Sequence, residues 1–439
     1  SALFFKDSAH TFIVRVFGYL LAFSVQVMIA RFLGPGAKGE LQIAMFLFSI
    51  VGMLIGLGFE RAIIFYLGRG RYDLKRIWHN ACAFLLVSTV FAVIVLLPLT
   101  YLAMPLFGEI SFGLLAIVFL MAPLNRFMSF QLGIFNGRGE IRKGNVFTFQ
   151  NSLIYAVMVA LLLTWLLPRS SSVLLAYSCS FFITIVTVLI YWRNNLEGLG
   201  LGLSFERVVL KHMLSFGTRG QIGNITNVIA TRLDLLIMNY YLGKASAGIY
   251  SVAINFSELI MFLPLILSYV IFPHASRRTQ EQGWRLIQQT ARISFLTSLL
   301  LAVLIAVLAP IAIPILFSET FIGALQPLWI LLCGMIFLAV FRILASGISG
   351  LGHPLIYSIC TISAVIVSLV LNLILIPKYQ EIGAAVSNAV AYFVAFVILI
   401  AFIKFKFRQR LHSFFIIKSS DIAAILSNIR SVLNRGENK

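Results

Sequence analysis

Charged residues are scarce in this sequence of 439 residues, of which only 11% are Asp, Glu, Lys or Arg and 60% are hydrophobic. This composition, with a mean hydropathy of +0.98, excludes a soluble globular protein and indicates a polytopic membrane protein. Acidic residues are the rarest charged class, at 15 against 34 Lys and Arg. The net charge of +19 would suggest a nucleic-acid partner in a soluble chain, whereas in a membrane protein it first reports topology.

Cysteine and catalytic motifs are also largely missing. The four cysteines lie inside apolar runs, at Cys82, Cys179, Cys333 and Cys360, so neither a disulfide framework nor a thiolate metal site is expected. Walker A, H-E-x-x-H, G-x-S-x-G and C-x-x-C patterns are absent. The G-x-G-x-x-G match at 34–39 follows an apolar span rather than a strand, and we interpret it as an extracytoplasmic turn. We therefore predict no metal, no cofactor and no enzymatic activity.

Apolar runs long enough to cross a bilayer, about 20 residues each, recur along the whole chain. They predict twelve spans, at 11–31, 41–66, 80–104, 111–135, 146–167, 173–192, 215–241, 247–272, 290–316, 323–349, 355–376 and 383–405. Lys and Arg concentrate in alternate connections and near both chain ends. By the positive-inside rule, both termini of this all-α, multi-pass protein are cytoplasmic.

An internal repeat divides these spans. The segment FLGPGAKGELQIA at 32–44 resembles YLGKASAGIYSVA at 241–253, and NGRGE at 136–140 resembles SGLGH at 349–353. Parallel repeats of this kind predict two pseudo-symmetric six-helix lobes around a central cavity that holds the transport site. The predicted domains are an N-terminal lobe at 1–195, a cytoplasmic interfacial linker at 196–214, a C-terminal lobe at 215–407 and a basic amphipathic cytoplasmic tail at 408–439.

Arginine occurs at depths where lipid does not tolerate it. A charge at the centre of a membrane helix costs about 2.5–3.5 kcal/mol, so such residues face a bundle interior or a water-filled cavity. Arg292 lies near the cytoplasmic end of its span and can snorkel. Six arginines lie deeper in the spans: Arg15, Arg61, Arg126, Arg219, Arg232 and Arg342. Three acids accompany them: Glu60, Asp234 and Glu258. Because the arginines outnumber the acids, we expect the cavity to bind an anion with phosphate or carboxylate groups, which the planar guanidinium fork matches.

Helical spacing extends this predicted site. Tyr19 and Gln26 lie on the face that carries Arg15. Near the start of the polar stretch 215–244, Gly217, Gly220 and Gly223 would let its helix bend or break. Glu60, Asp234 and Glu258 are candidates for binding a coupling proton or sodium ion. The alternative is that acids and arginines pair with each other or that the arginines snorkel, which applies most to Arg15 and Arg61 near the cytoplasmic end.

The segments ARFLGPGAKGELQIA, LSFGTRGQIGNI and LILIPKYQEIGAAVSNAVAYF resemble a known family. The chain is similar over roughly 10–405 to the polysaccharide-transport branch of the multidrug/oligosaccharidyl-lipid/polysaccharide (MOP) exporter superfamily, the Wzx-type lipid-linked oligosaccharide or O-antigen flippases. The resemblance implies alternating access and a cargo of undecaprenyl diphosphate carrying an oligosaccharide, moved from the cytoplasmic to the outer leaflet of a bacterial inner membrane. It also implies membrane lipids, a polysaccharide polymerase and glycosyltransferases as partners, and no nucleic acid; we expect a monomer.

One alternative within the same superfamily is a cation-coupled drug exporter, which needs a neutral or negative aromatic cavity. Six arginines argue against that function. For an anionic cargo, the membrane potential itself favours export, because each negative charge that leaves a negative-inside cell gains about 2.3 kcal/mol per 100 mV. Coupling to a proton, to sodium or to the potential alone therefore stays open.

Overall fold

The computed structural model of the chain describes residues 2–102, 110–165, 169–195, 202–276, 279–353, 355–409 and 411–415. Every regular element in these ranges is helical. Two compact units divide the chain, one formed by Ser1–Gly248 with Leu316–Thr320 and the other by Ile249–Ile315 with Phe321–Lys439. The predicted tail from residue 416 onward lies outside the described residues.

Thirteen α-helices have the bounds α1 Ala2–Gly56, α2 Phe59–Gly68, α3 Leu74–Phe91, α4 Leu97–Leu102, α5 Phe112–Gly137, α6 Ile141–Trp165, α7 Ser170–Asn195, α8 Arg207–Leu242, α9 Lys244–Glu258, α10 Phe262–Ser276, α11 Gln280–Phe317, α12 Leu325–Gly350 and α13 Leu355–Phe407 within the described ranges. A π-helical turn at Ala92–Leu96 joins α3 to α4. Short 3-10 turns lie at Leu259–Met261, Glu319–Ala324 and Leu411–Phe414.

Nine helical segments in the described part of the chain are long and apolar enough to cross a membrane. Two of them contain two predicted spans each: Val16–Gly56 is kinked at Gly34, and Leu355–Phe407 is kinked at Gln380. Helix α8 is not among the nine, because charged and amide side chains interrupt its apolar residues. With α8 added and the kinked segments each counted as a pair, the twelve predicted spans are accounted for, and the all-α polytopic fold is confirmed.

The backbone repeats along with the sequence. Gly34 has φ 71° and ψ 178°, and Gly243, at the matching position of the second repeat, has φ 85° and ψ 175°. The turns after α5 and α12 also correspond, since Gly139 and Gly352 have φ values of +76° and +94°. Glycine adopts these conformations without the steric cost that a side chain would add. The two copies therefore share their chain reversals as well as their apolar runs.

The predicted second span is broken in the middle. Helix α1 ends at Gly56, Leu57 and Gly58 have φ values of +42° and +74°, and α2 begins at Phe59. Gln42 and Glu60 therefore do not lie on one continuous helical face, because the break changes the helical phase. Of the bend or break that the glycines near the start of the polar stretch 215–244 would allow, a break does not occur, since α8 is helical from Arg207 to Leu242.

Two glycines allow the backbone at the break between α1 and α2 to contact the backbone of α8. A Cβ atom on Gly217 would lie 2.6 Å from the carbonyl oxygen of Leu57, and a Cβ atom on Gly58 would collide with the backbone of Gly217. Both contacts are to backbone, which cannot rotate away as a side chain can. Helix α8 begins at Arg207, so residues 207–214 of the predicted linker 196–214 form about the first two turns of this helix.

A large apolar core surrounds these elements in the first unit, including the fully buried Trp78, Phe59 and Trp192. Phe59, the first residue of α2, stacks on Phe84 of α3 with ring centroids 4.0 Å apart. The second unit has a core of its own, which packs Ile343 and Leu344 of α12 with Leu399 of α13. Packing therefore fixes the position of α2, although this helix is only 10 residues long.

We predict that Gly58→Ala and Gly217→Ala each lower the free energy of unfolding by about 1–3 kcal/mol, because each forces an atom into occupied backbone space. Gly113→Ala in the first turn of α5 is the matched control, since no atom lies within 4 Å of its added Cβ. Denaturant titration in detergent micelles measures the three changes. Equal stability of all three variants would contradict the close α2–α8 approach.

Candidate functional site

The first turn of α2 carries an acid and a base that contact different helices. Glu60 accepts a hydrogen bond from Arg126 of α5, with Nη1 and Oε2 3.2 Å apart. Arg126 also donates through Nη2 to Asn125 Oδ1 at 2.5 Å. The side chains of Arg126 and Glu60 are only 20% and 31% exposed. Glu60 and Arg126 therefore form a largely buried ion pair in the first unit.

Glycines in α1 make room for Arg126. A Cβ atom on Gly56 would lie 2.7 Å from Cδ of Arg126, and one on Gly52 would lie 3.5 Å from its Nε. The Nε atom itself is buried and has no hydrogen-bond partner among the described residues. A buried donor without an acceptor is costly, so this N–H is available to a water molecule or to an anionic ligand.

Arg61 points to α8 instead. Its Nη2 donates to Asn224 Oδ1 at 2.9 Å, and Asn224 Nδ2 donates to Gln221 Oε1 at 3.2 Å. Gln221 Nε2 then donates to the carbonyl oxygen of Met53 at 3.1 Å. This chain of polar groups connects both sides of the helix break to α8. The side chain of Arg61 is exposed although Gln221 is buried.

The other predicted site residues of α8 differ in their surroundings. Arg219 is exposed, and no carboxylate contacts it within the described ranges. Arg232 is half-buried and engaged with a neighbour, and Asp234 is 3% exposed. Asp234 Oδ1 accepts from the backbone N–H of Leu235 at 2.8 Å. Arg219 is therefore the more accessible of the two arginines on this helix.

The predicted pair on α1 is also described. Tyr19 is 52% exposed, and Gln26 Oε1 accepts a hydrogen bond from Lys38 Nζ at 3.1 Å. Lys38 is completely buried, with Nζ 5.6 Å from the ring centroid of Phe317. The side chain of Arg15 lies outside the described residues.

Sequence reasoning placed Lys38 in an exposed loop and therefore missed it. A usable signal was the pair Gly34-Pro35: proline is favoured in the first turn of a helix, and a glycine before it allows the chain to turn sharply. This pair would have predicted that a helix begins after Gly34 and that Lys38 lies in its first turn, as it does in the structure. Gly52 and Gly56 were missed because their partner, Arg126, is distant in the sequence.

The second unit contains Arg342 and Glu258. Arg342 is half-buried on α12, one turn before Ser346, whose hydroxyl donates to the carbonyl of Ser268 at 2.6 Å. Glu258 is exposed at the end of α9, where the 3-10 turn begins, and contacts a neighbour. Glu60 and Arg61 thus lie on α2, Arg126 on α5 and Arg219 on α8, and all three helices belong to one unit. The joint site with Arg15, Arg232 and Arg342, and the coupling role of the acids, stay predictions.

Metal binding has no support in the described part of the chain, where no group of three His, Cys, Asp or Glu side chains could hold an ion. The cysteines that the structure describes are free thiols.

Comparisons with known proteins agree with this arrangement of helices. Residues 28–326 match the family described as "Polysaccharide biosynthesis protein" (Polysacc_synt_3), and the chain belongs to that family. The probable low-salt glycan biosynthesis flippase Agl15 of Haloferax volcanii is 22% identical over 98% of this chain and 90% of its own length. The uncharacterized membrane protein MJ1068 of Methanocaldococcus jannaschii is 26% identical, but the match spans 45% of this chain and only 40% of that protein.

Solved structures show the same fold. The lipid II flippase MurJ, in an inward closed conformation, superposes with a TM-score of 0.76 at 14% identity, over 92% of this chain and 88% of that one. An inward-facing multidrug-resistance MATE transporter of the MOP superfamily gives a TM-score of 0.70 at 17% identity, over 91% and 99%. The chain is therefore a multi-pass membrane protein with the fold of these transporters. Its family and its relatives support the prediction that it is not an enzyme.

The Glu60–Arg126 ion pair predicts a measurable coupling energy. In a double-mutant cycle of Glu60→Gln and Arg126→Met, we expect about 1–3 kcal/mol, because removal of either partner leaves the other charge largely buried. The same cycle on Glu281 and Arg285, an i,i+4 pair 78% exposed on both sides, should give at most about 0.5 kcal/mol. Denaturant unfolding of the variants supplies both values, and equal coupling in the two pairs would refute the buried pair.

Proposed function

We propose that this chain is a flippase that moves an anionic lipid-linked oligosaccharide across the membrane. Its cargo is a polyprenyl diphosphate, undecaprenyl diphosphate in a bacterial cell, that carries the repeat unit of a polysaccharide such as an O-antigen. Membership of a polysaccharide biosynthesis family and full-length similarity to a protein called a glycan flippase support the class of cargo. Similarity to these proteins does not itself indicate a diphosphate, and the residues of this chain carry that part of the proposal.

The observation that carries the proposal is the balance of charge around the break between α1 and α2. Arg126 forms an ion pair with Glu60. Two further arginines are exposed, Arg61 on α2 and Arg219 on α8. Arg61 donates a hydrogen bond to the neutral amide of Asn224 on α8. Guanidinium groups inside a membrane protein favour an anion strongly, and their paired N–H groups fit phosphate oxygens.

The remaining parts of the cargo have matching groups. Sugar hydroxyls require hydrogen-bonding partners such as Tyr19, Gln26, Gln221 and Asn224, and the polyprenyl chain stays in lipid. In the proposed cycle the inward-open carrier binds the diphosphate at Arg15, Arg61, Arg219 and Arg342, and Arg126 and Arg232 act deeper in the cavity. Alternating access then exposes the cargo to the outer leaflet.

Energetically, export of a diphosphate carrying about two negative charges gains roughly 2.3 kcal/mol per charge per 100 mV of membrane potential. Asp234, Glu258 or Glu60 would bind a proton or sodium ion if the empty carrier is reset by coupling. Within this proposal the protein is a monomer in the cytoplasmic membrane with both termini in the cytoplasm. Glycosyltransferases supply its substrate, and a polymerase consumes its product.

Flipping in proteoliposomes tests the proposal. Arg61→Ala and Arg219→Ala should each slow translocation of a fluorescent polyprenyl-diphosphate oligosaccharide at least about tenfold, or 1.4 kcal/mol, because each removes a charge-assisted bond to phosphate. Lysine at either position should restore part of the rate, since it keeps the charge and loses the fork. Arg285→Ala, at an exposed position near the start of α11, is the control.

Wild-type translocation by the Arg61→Ala/Arg219→Ala double variant would contradict the proposal. Export of a cationic drug in exchange for protons, without movement of the glycolipid, would favour the drug-exporter alternative that the MATE-like fold also permits.

A further inference from the structure

The turn after α2 presents two arginines that the proposed transport route does not use. The N–H of Gly70 donates to the carbonyl of Leu67 at 3.0 Å, and the N–H of Arg71 donates to the carbonyl of Tyr66 at 3.1 Å. With Gly70 at φ +62°, these bonds form a Schellman turn, which fixes the backbone on both sides of the glycine. Arg69 and Arg71 are therefore held in place by the end of the helix.

Aromatic rings order both side chains. The Cζ atom of Arg69 lies 4.4 Å from the ring centroid of Phe65, and that of Arg71 lies 5.7 Å from Tyr66 and 5.9 Å from Tyr72. Both arginines are exposed, and neither makes an ion pair with a described residue. A ring occupies one face of a guanidinium group and leaves the N–H groups at its edge free, and that edge is what binds phosphate.

Helix α8 holds these rings in position. Phe65 stacks on Phe216 with centroids 4.3 Å apart, and the hydroxyl of Tyr72 lies 2.6 Å from Nδ1 of His212. Because the rings are already packed against a neighbouring helix, little side-chain freedom is lost when a ligand binds the arginines that rest on them.

Nearby acids do not cancel this charge. Glu206 accepts a two-fold hydrogen bond from Arg76, and that bond and the charge of Arg76 hold the pKa of Glu206 below its ordinary value. Asp73 makes no ion pair with a described residue. Neither carboxylate is therefore paired with Arg69 or Arg71 in the described part of the chain.

The chain contains an internal comparison. Gly137–Glu140 repeats the turn, with the N–H of Gly139 donating to Asn136 at 3.1 Å and that of Glu140 to Phe135 at 2.8 Å. There the residue that corresponds to Arg71 is Glu140, which pairs with Arg138 at 3.0 Å. The turn itself therefore does not require two arginines without an ion-pair partner.

We propose that Arg69 and Arg71 bind the diphosphate headgroup of the lipid cargo at the mouth of the transport route. This inference rests on the proposed function, and the side concerned is the one that the sequence predicts to be cytoplasmic. At 1.5 Å per residue, α2 leads from Arg69 to Arg61 over about 12 Å. The headgroup would be captured at the turn and then pass to the arginines inside.

Equilibrium binding of inorganic pyrophosphate to the full chain, in nanodiscs of phosphatidylcholine, tests the site without transport. We expect the Arg69→Ala/Arg71→Ala variant to bind at least about tenfold more weakly than wild type. Arg138→Ala, which changes the same kind of turn, should remain within about twofold. Calorimetry gives the affinities, and thermal unfolding checks that both variants are folded.

Unchanged affinity in the double variant, or an equal loss in Arg138→Ala, would overturn the proposal. If phosphatidylglycerol in the nanodisc abolishes the difference between wild type and the double variant, bulk phospholipid occupies the site and the assignment to the cargo is wrong. If the wild type binds pyrophosphate through Arg69 and Arg71 but does not flip the glycolipid, the phosphate site stands, and the proposed function falls together with the assignment of the site to the cargo.

Discussion

A guanidinium group inside a membrane protein must meet an acid, a neutral acceptor or water, and this requirement governs the arrangement around α2. The helix break at Leu57–Gly58 sets the orientation of α2, so that the consecutive residues Glu60 and Arg61 contact different neighbouring helices. Glu60 neutralises Arg126 on α5, while Arg61 binds the amide of Asn224 on α8. One arginine is therefore paired with an acid on α2, and the other donates to a neutral amide on α8.

Small residues make this arrangement possible. Gly52 and Gly56 leave the space that the Arg126 side chain occupies, and Gly58 and Gly217 let the break approach the backbone of α8. Close backbone contact and polar side chains are also what allow a helix as polar as α8 to remain within a membrane protein. Sterics and electrostatics thus act on the same few turns, and a change in either would disturb the other.

Much of this was visible in the sequence, because apolar runs, basic loops and the repeat report directly on membrane crossing. The number of spans, the equivalence of Gly34 and Gly243 in the two repeats and the unusual polarity of α8 all followed from such patterns. The break before α2 did not, since it depends on Gly217, which is distant in the sequence. Nor could spacing decide that Glu60 pairs with Arg126 rather than with its neighbour Arg61, because that choice is made by tertiary packing.

The central claim is that arginines of α2 and α8 bind the phosphates of an anionic lipid. Cryo-electron microscopy of the full chain with a polyprenyl-diphosphate oligosaccharide tests it most directly. The account predicts diphosphate density within hydrogen-bonding distance of the guanidinium groups of Arg61 and Arg219. Diphosphate density bound elsewhere, with both guanidinium groups paired to acids in the complex, would contradict it.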